Sequence, residues 1–158
     1  MTIASELGKA TQAMSDAQGP KQVLEQLIAV NIDTRNGLRR AADTLDDDGL
    51  GSRFRAMADE RDRMASELRS AGSRFDLDAS GTISGNLREA WMSLKDAVGG
   101  SDHAILETVE EAEDRAVELY EAALGHEMPD EITSLVRRQL TEVKAGHDTV
   151  RDLRDARA

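Results

Sequence analysis

Residues 102–124 read DHAILETVEEAEDRAVELYEAAL and contain neither glycine nor proline. Apolar side chains recur in this stretch with helical spacing, at Leu106, Val109, Ala116 and Tyr120. The pattern predicts an amphipathic helix that buries this stripe. Glu113 lies in the middle of the same stripe, where an apolar residue is expected. Because an isolated charged carboxylate is too costly to keep in an apolar interior, Glu113 must either be paired or hold a metal.

The same spacing of apolar residues occurs in three other long segments. We predict long helices over residues 21–46, 50–71, 102–124 and 129–156, and a short helix over residues 84–98. An acidic turn at residues 46–49 makes the first two helices antiparallel, because so short a connection brings the chain straight back. The sequence therefore predicts an all-α four-helix bundle, with a long, helix-containing connection between helices two and three.

The length of 158 residues suits one domain with a single core. We assign that domain to residues 21–158. Residues 1–20 are small, polar and only weakly amphipathic, so we expect a mobile N-terminal tail. A tail that docks on a partner or on a second subunit is the alternative.

Charge and composition exclude several classes of function. The chain has 31 acidic and 20 basic residues and a formal net charge of -11, which opposes nucleic-acid binding. It has no cysteine, so disulfides, thiolate metal sites and thiol nucleophiles are excluded. No stretch has the apolar length of a membrane span or of a signal peptide. We expect a cytoplasmic protein that binds neither nucleic acid nor membranes.

Polar residues lie at the middle of all four long helices, where they interrupt the predicted apolar stripes: Asn31 and Thr34 in the first, Glu60 or Arg61 in the second, Glu113 in the third and Gln139 in the fourth. A ring of carboxylates with histidine is how helical bundles hold two iron or manganese ions, which makes five residues candidate metal ligands: Glu60, Glu110, Glu113, Glu142 and His147. Asp33 is the alternative to Glu60 on the opposite side of the bundle.

The expected metal motif is incomplete in this sequence. Bundle metal sites use Glu-x-x-His on two helices, but Arg63 follows Glu60 at that spacing and Ala145 follows Glu142. An arginine, Arg61, also belongs to the layer. The alternative to a metal site is a layer of ion pairs, Arg61 with Glu113 and His147 with Glu110, that fixes the register of the helices. We expect the ion-pair layer and no cofactor, with iron or another divalent metal as the alternative.

Three sequence phrases carry a resemblance to a known family. They are LIAVNID at residues 27–33, SGTISGNLREAW at residues 80–91 and QLTEVKAGHD at residues 139–148. Together, over residues 22–154, the chain resembles the uncharacterised bacterial four-helix proteins that are grouped with the ferritin-like superfamily. The resemblance implies a ferritin-like four-helix bundle with a long, helix-containing crossover between helices two and three, from a bacterium and with no established activity. It transfers no catalytic residue, because the metal-ligand motif of ferritins is the part that this chain lacks.

Residues 76–84, DLDASGTIS, match the first nine positions of an EF-hand calcium loop. Position 12 of such a loop needs a glutamate, but here it is Leu87, and no second copy of the loop exists. A turn that caps the short helix containing Trp91 is the preferred interpretation. Weak calcium binding by the loop from Asp76 to Leu87 is the alternative.

The sequence contains no nucleophile constellation and no phosphate-binding glycine loop after a strand. We therefore expect a non-enzymatic structural or interaction module, linked to a stress response by analogy alone. The alternatives are a metal-binding or oxidase-type carboxylate bundle and a module whose assembly depends on calcium. Both a homo-oligomer and a separate protein partner are compatible with the sequence.

Overall fold

The structure is a computed structural model that describes residues 19–78, 85–94 and 101–157. These residues form a 3₁₀ turn, Ser73–Phe75, and five α-helices: α1 (Gly19–Thr44), α2 (Asp48–Ala71), α3 (Gly85–Met92), α4 (Asp102–Ala123) and α5 (Asp130–Asp155). They contain no β-strand, which confirms the all-α prediction for this part of the chain. The ends of the four long helices lie within two residues of the predicted ends. Residues 1–18 and 95–98, where a tail and the end of the short helix were predicted, lie outside the described residues.

Helix α2 begins at Asp48, two residues earlier than predicted, directly after the acidic turn that follows α1. Asp47 has extended backbone geometry, and its carboxylate accepts a hydrogen bond from the backbone N–H of Leu50 at 3.1 Å. Asp47 is therefore the N-cap of α2, and Asp48 lies in the first turn, where a negative charge is favourable. The Asp102 carboxylate also accepts the backbone N–H groups of Asp46 and Asp47, at 3.0 and 3.1 Å, which ties this turn to the start of α4.

Ion pairs between α1 and α2 show that these helices are antiparallel. Arg35 contacts Asp62 at 2.7 Å, and Asp43 contacts Arg55 at 3.1 Å, so residue numbers rise along one helix as they fall along the other. The short acidic turn between the two helices predicted this antiparallel arrangement.

Helix α1 is also antiparallel to α4. Asn31 contacts Tyr120 near the end of α4, and the chain just beyond α1, at Asp46, contacts Asp102 at the start of α4. Helices α2 and α4 therefore point in the same direction.

Helix α5 packs antiparallel to both α4 and α2. Tyr120 and Glu110 on α4 contact Gln139 and Arg154 on α5, respectively. Gln139 also donates a hydrogen bond to the carbonyl of Met64 on α2, at 3.1 Å. The polar contacts thus join α1 to α2, α2 to α5, α5 to α4 and α4 to α1, around a shared apolar core.

The short helix α3 packs on α1 and α4. Its apolar side chains Leu87, Ala90 and Trp91 are buried, as is Leu94 just beyond it. The indole of Trp91 lies directly over Gly37 of α1, where a Cβ atom would come within 2.3 Å of the ring. These side chains therefore cover the flank of α1 and α4.

Among the described residues, no helix is both long enough and apolar enough to cross a membrane.

Candidate functional site: the buried polar layer

The buried polar side chains lie near the middle of the long helices, at the level that the sequence predicts. Those with less than 5% of their surface exposed are Asn31, Thr34, Arg61, Glu113 and Gln139. They come from all four long helices, so the layer crosses the whole core. We call this set, with the hydroxyl of Tyr120, the polar layer.

An ion pair between α2 and α4 forms the centre of the polar layer. The guanidinium of Arg61 contacts the carboxylate of Glu113 directly, and both side chains are buried. A second guanidinium nitrogen of Arg61 donates to Oδ1 of Asn31 at 3.3 Å. The pair expected from the sequence is thus present, and it opposes the buried negative charge of Glu113 with a positive one.

The hydroxyl of Tyr120 extends the layer to α1 and α5. Asn31 donates to the carbonyl of Leu27 at 2.8 Å and to the Tyr120 oxygen at 2.6 Å. Tyr120 donates to Oε1 of Gln139 at 2.7 Å, and Gln139 donates to the carbonyl of Met64 at 3.1 Å. Burial raises the pKa of Tyr120 to about 12, so the phenol keeps its proton and stays a donor at neutral pH.

The network reaches solvent at the edge between α2 and α5. Gln139 also donates to Glu67 at 3.2 Å, and Glu67 accepts from Arg138 at 2.6 Å and from Arg63 at 2.9 Å. Arg63 in turn contacts Glu142 at 3.1 Å. The candidate ligand Glu142 is therefore held by an arginine at the surface, and it lies outside the buried centre of the layer.

His147 lies in a separate, partly exposed cluster between α4 and α5. Its Nε2 is 3.8 Å from a carboxylate oxygen of Glu110 and 3.7 Å from Asp114, and its Nδ1 is 3.2 Å from Asp148. The other carboxylate oxygen of Glu110 contacts Arg154. The predicted pair of His147 with Glu110 is therefore present, and it neighbours further carboxylates.

The structure does not bring the five candidate metal ligands into one site. Glu113 is buried against Arg61, Glu110 and His147 share the partly exposed cluster, Glu142 lies at the surface, and Glu60 is exposed on α2. Within the described part of the chain, no group of three or more histidine, aspartate or glutamate side chains is arranged to hold a metal ion. Metal binding by these five residues stays a prediction.

Asp33, the alternative ligand to Glu60, is partly buried on α1. Burial raises the pKa of its carboxyl, while the nearby cations Arg88, Arg40 and Arg35 lower it. Arg88 belongs to α3, so the charge of the short helix contributes to the electrostatic environment of Asp33.

Tyr120 is the member of the polar layer that the sequence analysis placed in the apolar stripe. The chain has one tyrosine, and it lies two helical turns beyond Glu113 on the same face of α4. A buried tyrosine usually finds a partner for its hydroxyl. Its position in the same stripe as Glu113 therefore indicates that its hydroxyl can join the polar layer.

Only the beginning of the predicted calcium loop belongs to the described part of the chain. Asp76 and Asp78, positions 1 and 3 of the loop, are described, and Asp76 has a left-handed backbone with φ of 54°. Residues 79–84, which would supply the remaining oxygen ligands and the turn, lie outside the described residues. Calcium binding stays a prediction.

A pH titration of stability should reveal the protonation of Glu113. Burial raises the pKa of its carboxyl, against the opposing effects of Arg61 and His147. Above the ordinary glutamate pKa of about 4.3, the folded chain should hold a proton that the unfolded chain has lost, so this group's contribution to stability falls as pH rises. We expect the unfolding free energy of wild type, relative to Glu113→Gln, to decrease from about pH 4.3 upward. Urea unfolding of both proteins across this range measures it, and an increase with pH would show that the ion pair outweighs burial.

Comparison with known protein families identifies a matching family. The sequence model of a family described as a domain of unknown function, DUF2383, matches residues 20–126. The matched region contains Asn31, Arg61, Glu113 and Tyr120 of the polar layer and ends before α5. No curated protein matches the chain.

Proposed function

The chain belongs to the DUF2383 family of domains of unknown function, and we propose that it is a non-enzymatic, ferritin-like four-helix bundle that acts as a structural or interaction module. The proposal includes a bacterial, cytoplasmic setting and a role in a stress response, both of which rest on the resemblance described above. The observation that carries the proposal is the buried ion pair between Arg61 and Glu113 at the centre of the polar layer.

The directions of the helices support the ferritin-like part of this proposal. Helices α2 and α4 run in the same direction, and each is antiparallel to α1 and to α5. Ferritin-like bundles have one long crossover connection between two antiparallel pairs. The segment from Gly72 to Ser101, which contains α3, connects the parallel helices α2 and α4, as such a crossover does.

The contacts of Glu113 support a structural role for the layer. A carboxylate that is to bind a metal must offer its oxygens to the ion, but one oxygen of Glu113 faces the Arg61 guanidinium. Bringing a cation to this place would also set it beside a buried arginine, with a repulsive interaction in a medium of low dielectric constant. Gln139 and Tyr120 are similarly engaged with each other. The layer therefore suits the fixing of helix register.

A divalent-metal role is the second candidate, on the strength of the His147 cluster. The Nε2 atom of His147 faces both Glu110 and Asp114, while Asp148 contacts the other ring nitrogen. A histidine whose second nitrogen is held by a carboxylate is common among metal ligands. The contact of Arg154 with Glu110 opposes this assignment.

Metal content separates the two candidates. We expect protein purified without chelator to contain much less than one equivalent of metal, and to show no oxidation signal when iron is added in air. The variants Glu113→Gln and His147→Gln should change stability without changing metal content. Stoichiometric metal that is lost from His147→Gln, while the helical circular dichroism is unchanged, would overturn the proposal in favour of the metal site.

A further inference from the structure

Helices α2 and α5 leave an open groove along their seam. Met57 of α2 lines it together with Ala145 and Gly146 of α5, and a Cβ atom at Gly146 would lie 3.5 Å from the terminal methyl of Met57. The groove has a volume of about 440 Å³. On the other side of the bundle, α3 packs on α1 and α4 and covers the seam between them. The seam between α2 and α5 is instead open, and its small residues allow another helix to approach closely.

Charged side chains of both signs line the groove on α2. Arg53 and Glu60 are exposed there, seven residues apart, so they lie on the same face of the helix and about 10.5 Å apart along its axis. Within the described part of the chain, neither of them forms an ion pair, whereas the nearby Arg63 is paired with Glu142 at 3.1 Å. The groove therefore presents one unpaired charge of each sign, on either side of Met57.

The order of these two charges selects among the possible occupants of the groove. A uniformly basic segment would be repelled by Arg53, and a uniformly acidic one would be repelled by Glu60. The matching partner carries an acidic and a basic residue seven positions apart on one helical face, in the reverse order along the groove. Helix α2 itself has this pattern when a two-fold axis turns it round, because Arg53 and Glu60 then exchange places.

We propose that the groove is the interface of a two-fold symmetric homodimer, in which α2 of each copy lies antiparallel to α2 of the other. The axis passes midway between Arg53 and Glu60, at the level of Ala56 and Met57, so that Arg53 of each copy pairs with Glu60 of the second copy. The apolar side chains of Met57 from the two copies meet beside the axis. The inference rests on the interaction-module function proposed above and names its partner, a second copy of this chain.

Sedimentation equilibrium of the full chain tests the proposal. The mass of wild type should rise with concentration towards twice the chain mass of 17.2 kDa. Arg53→Glu sets two glutamates against each other on both sides of the axis and should weaken dimerisation about tenfold or more. Glu60→Arg should weaken it to a similar extent, because it sets two arginines against each other. The double variant Arg53→Glu, Glu60→Arg exchanges the charges and restores both pairs, so its dissociation constant should return to within about threefold of wild type.

A matched control separates this local pairing from the effect of net charge. Arg69 is also exposed on α2, but it lines a different cavity, together with Ile28 of α1. Arg69→Glu changes the net charge by the same amount as Arg53→Glu, and it should leave the dissociation constant within about threefold of wild type. Glu60→Arg changes the net charge in the opposite direction, so repulsion between whole molecules would strengthen its dimer instead of weakening it.

Three results would overturn the proposal: a wild-type chain that stays monomeric at every concentration, a dimer that Arg53→Glu weakens no more than Arg69→Glu does, or a double variant that dissociates as readily as the single ones. Helical circular dichroism of each variant checks that the fold is intact. Metal content, which tests the function proposed above, does not depend on any of these results, so a failure of the dimer is distinguishable from a failure of that function.

Discussion

Replacing Arg61 by methionine should lower the unfolding free energy at neutral pH by about 3 to 5 kcal/mol, because the substitution leaves the Glu113 carboxylate buried without its counterion. Methionine keeps most of the volume of the side chain, so the loss reports mainly on charge and hydrogen bonding. Asn31 also loses the donor that faces its Oδ1 atom. Urea or thermal unfolding followed by circular dichroism measures the change. The loss should shrink in acid, where Glu113 can take up a proton.

Two matched variants control this prediction. Arg39→Met removes a surface pair, Arg39 with Asp59 at 3.5 Å, whose side chains are 48% and 78% exposed, and it should cost less than about 1 kcal/mol. Adding Glu113→Leu to Arg61→Met removes the orphaned charge and should recover most of the lost stability. If Arg61→Met lowers the unfolding free energy no more than Arg39→Met does, or if the double variant recovers none of the loss, the ion pair contributes little to stability.

The level of the polar layer was predictable from the sequence, because the rise per residue and the short turns fix where the helix midpoints meet. The helical pattern predicts Asn31, Thr34, Glu113 and Gln139 in this layer, and all four are buried there. The pattern does not distinguish between Glu60 and Arg61, which differ by about 100° around α2. The structure buries Arg61 and exposes Glu60, because the apolar stripe that contains Phe54, Ala58 and Met64 faces inward.

Contacts between segments that are distant in the sequence could not be predicted from the spacing of apolar residues. The direction of α4 relative to α1 depends on the path of the long connection, which no local spacing fixes. Arg61 could be proposed as the partner of Glu113 because both residues lie near the middle of their helices. The hydrogen bonds of Tyr120, in contrast, depend on how α1, α4 and α5 are rotated about their axes. The close approach of Trp91 to Gly37 is a contact of the same kind, and Gly37 shows no local signal beyond being a glycine within a helix.

Gly37→Ala should destabilise the protein by about 2 kcal/mol and displace α3. The added Cβ would lie 2.3 Å from Cε3 of Trp91 and 2.5 Å from two other ring atoms, far inside van der Waals contact. Overpacking of this severity costs about 3 kcal/mol, and the better helix propensity of alanine returns about 1 kcal/mol. Trp91 is the only tryptophan and is 3% exposed, so its displacement should move the fluorescence maximum to longer wavelength under native conditions.

The same substitution at Gly146 in α5 is the matched control for Gly37→Ala. A Cβ there would lie 3.5 Å from the terminal methyl of Met57, an ordinary contact, so Gly146→Ala should gain about 1 kcal/mol through helix propensity and leave the fluorescence unchanged. Trp91→Leu should relieve the overpacking, because the smaller side chain makes room for the methyl group over α1. Gly37→Ala should therefore cost less in the Trp91→Leu background than in wild type. An equal cost in the two backgrounds, or a native emission spectrum in Gly37→Ala, would contradict the packing of α3 against α1.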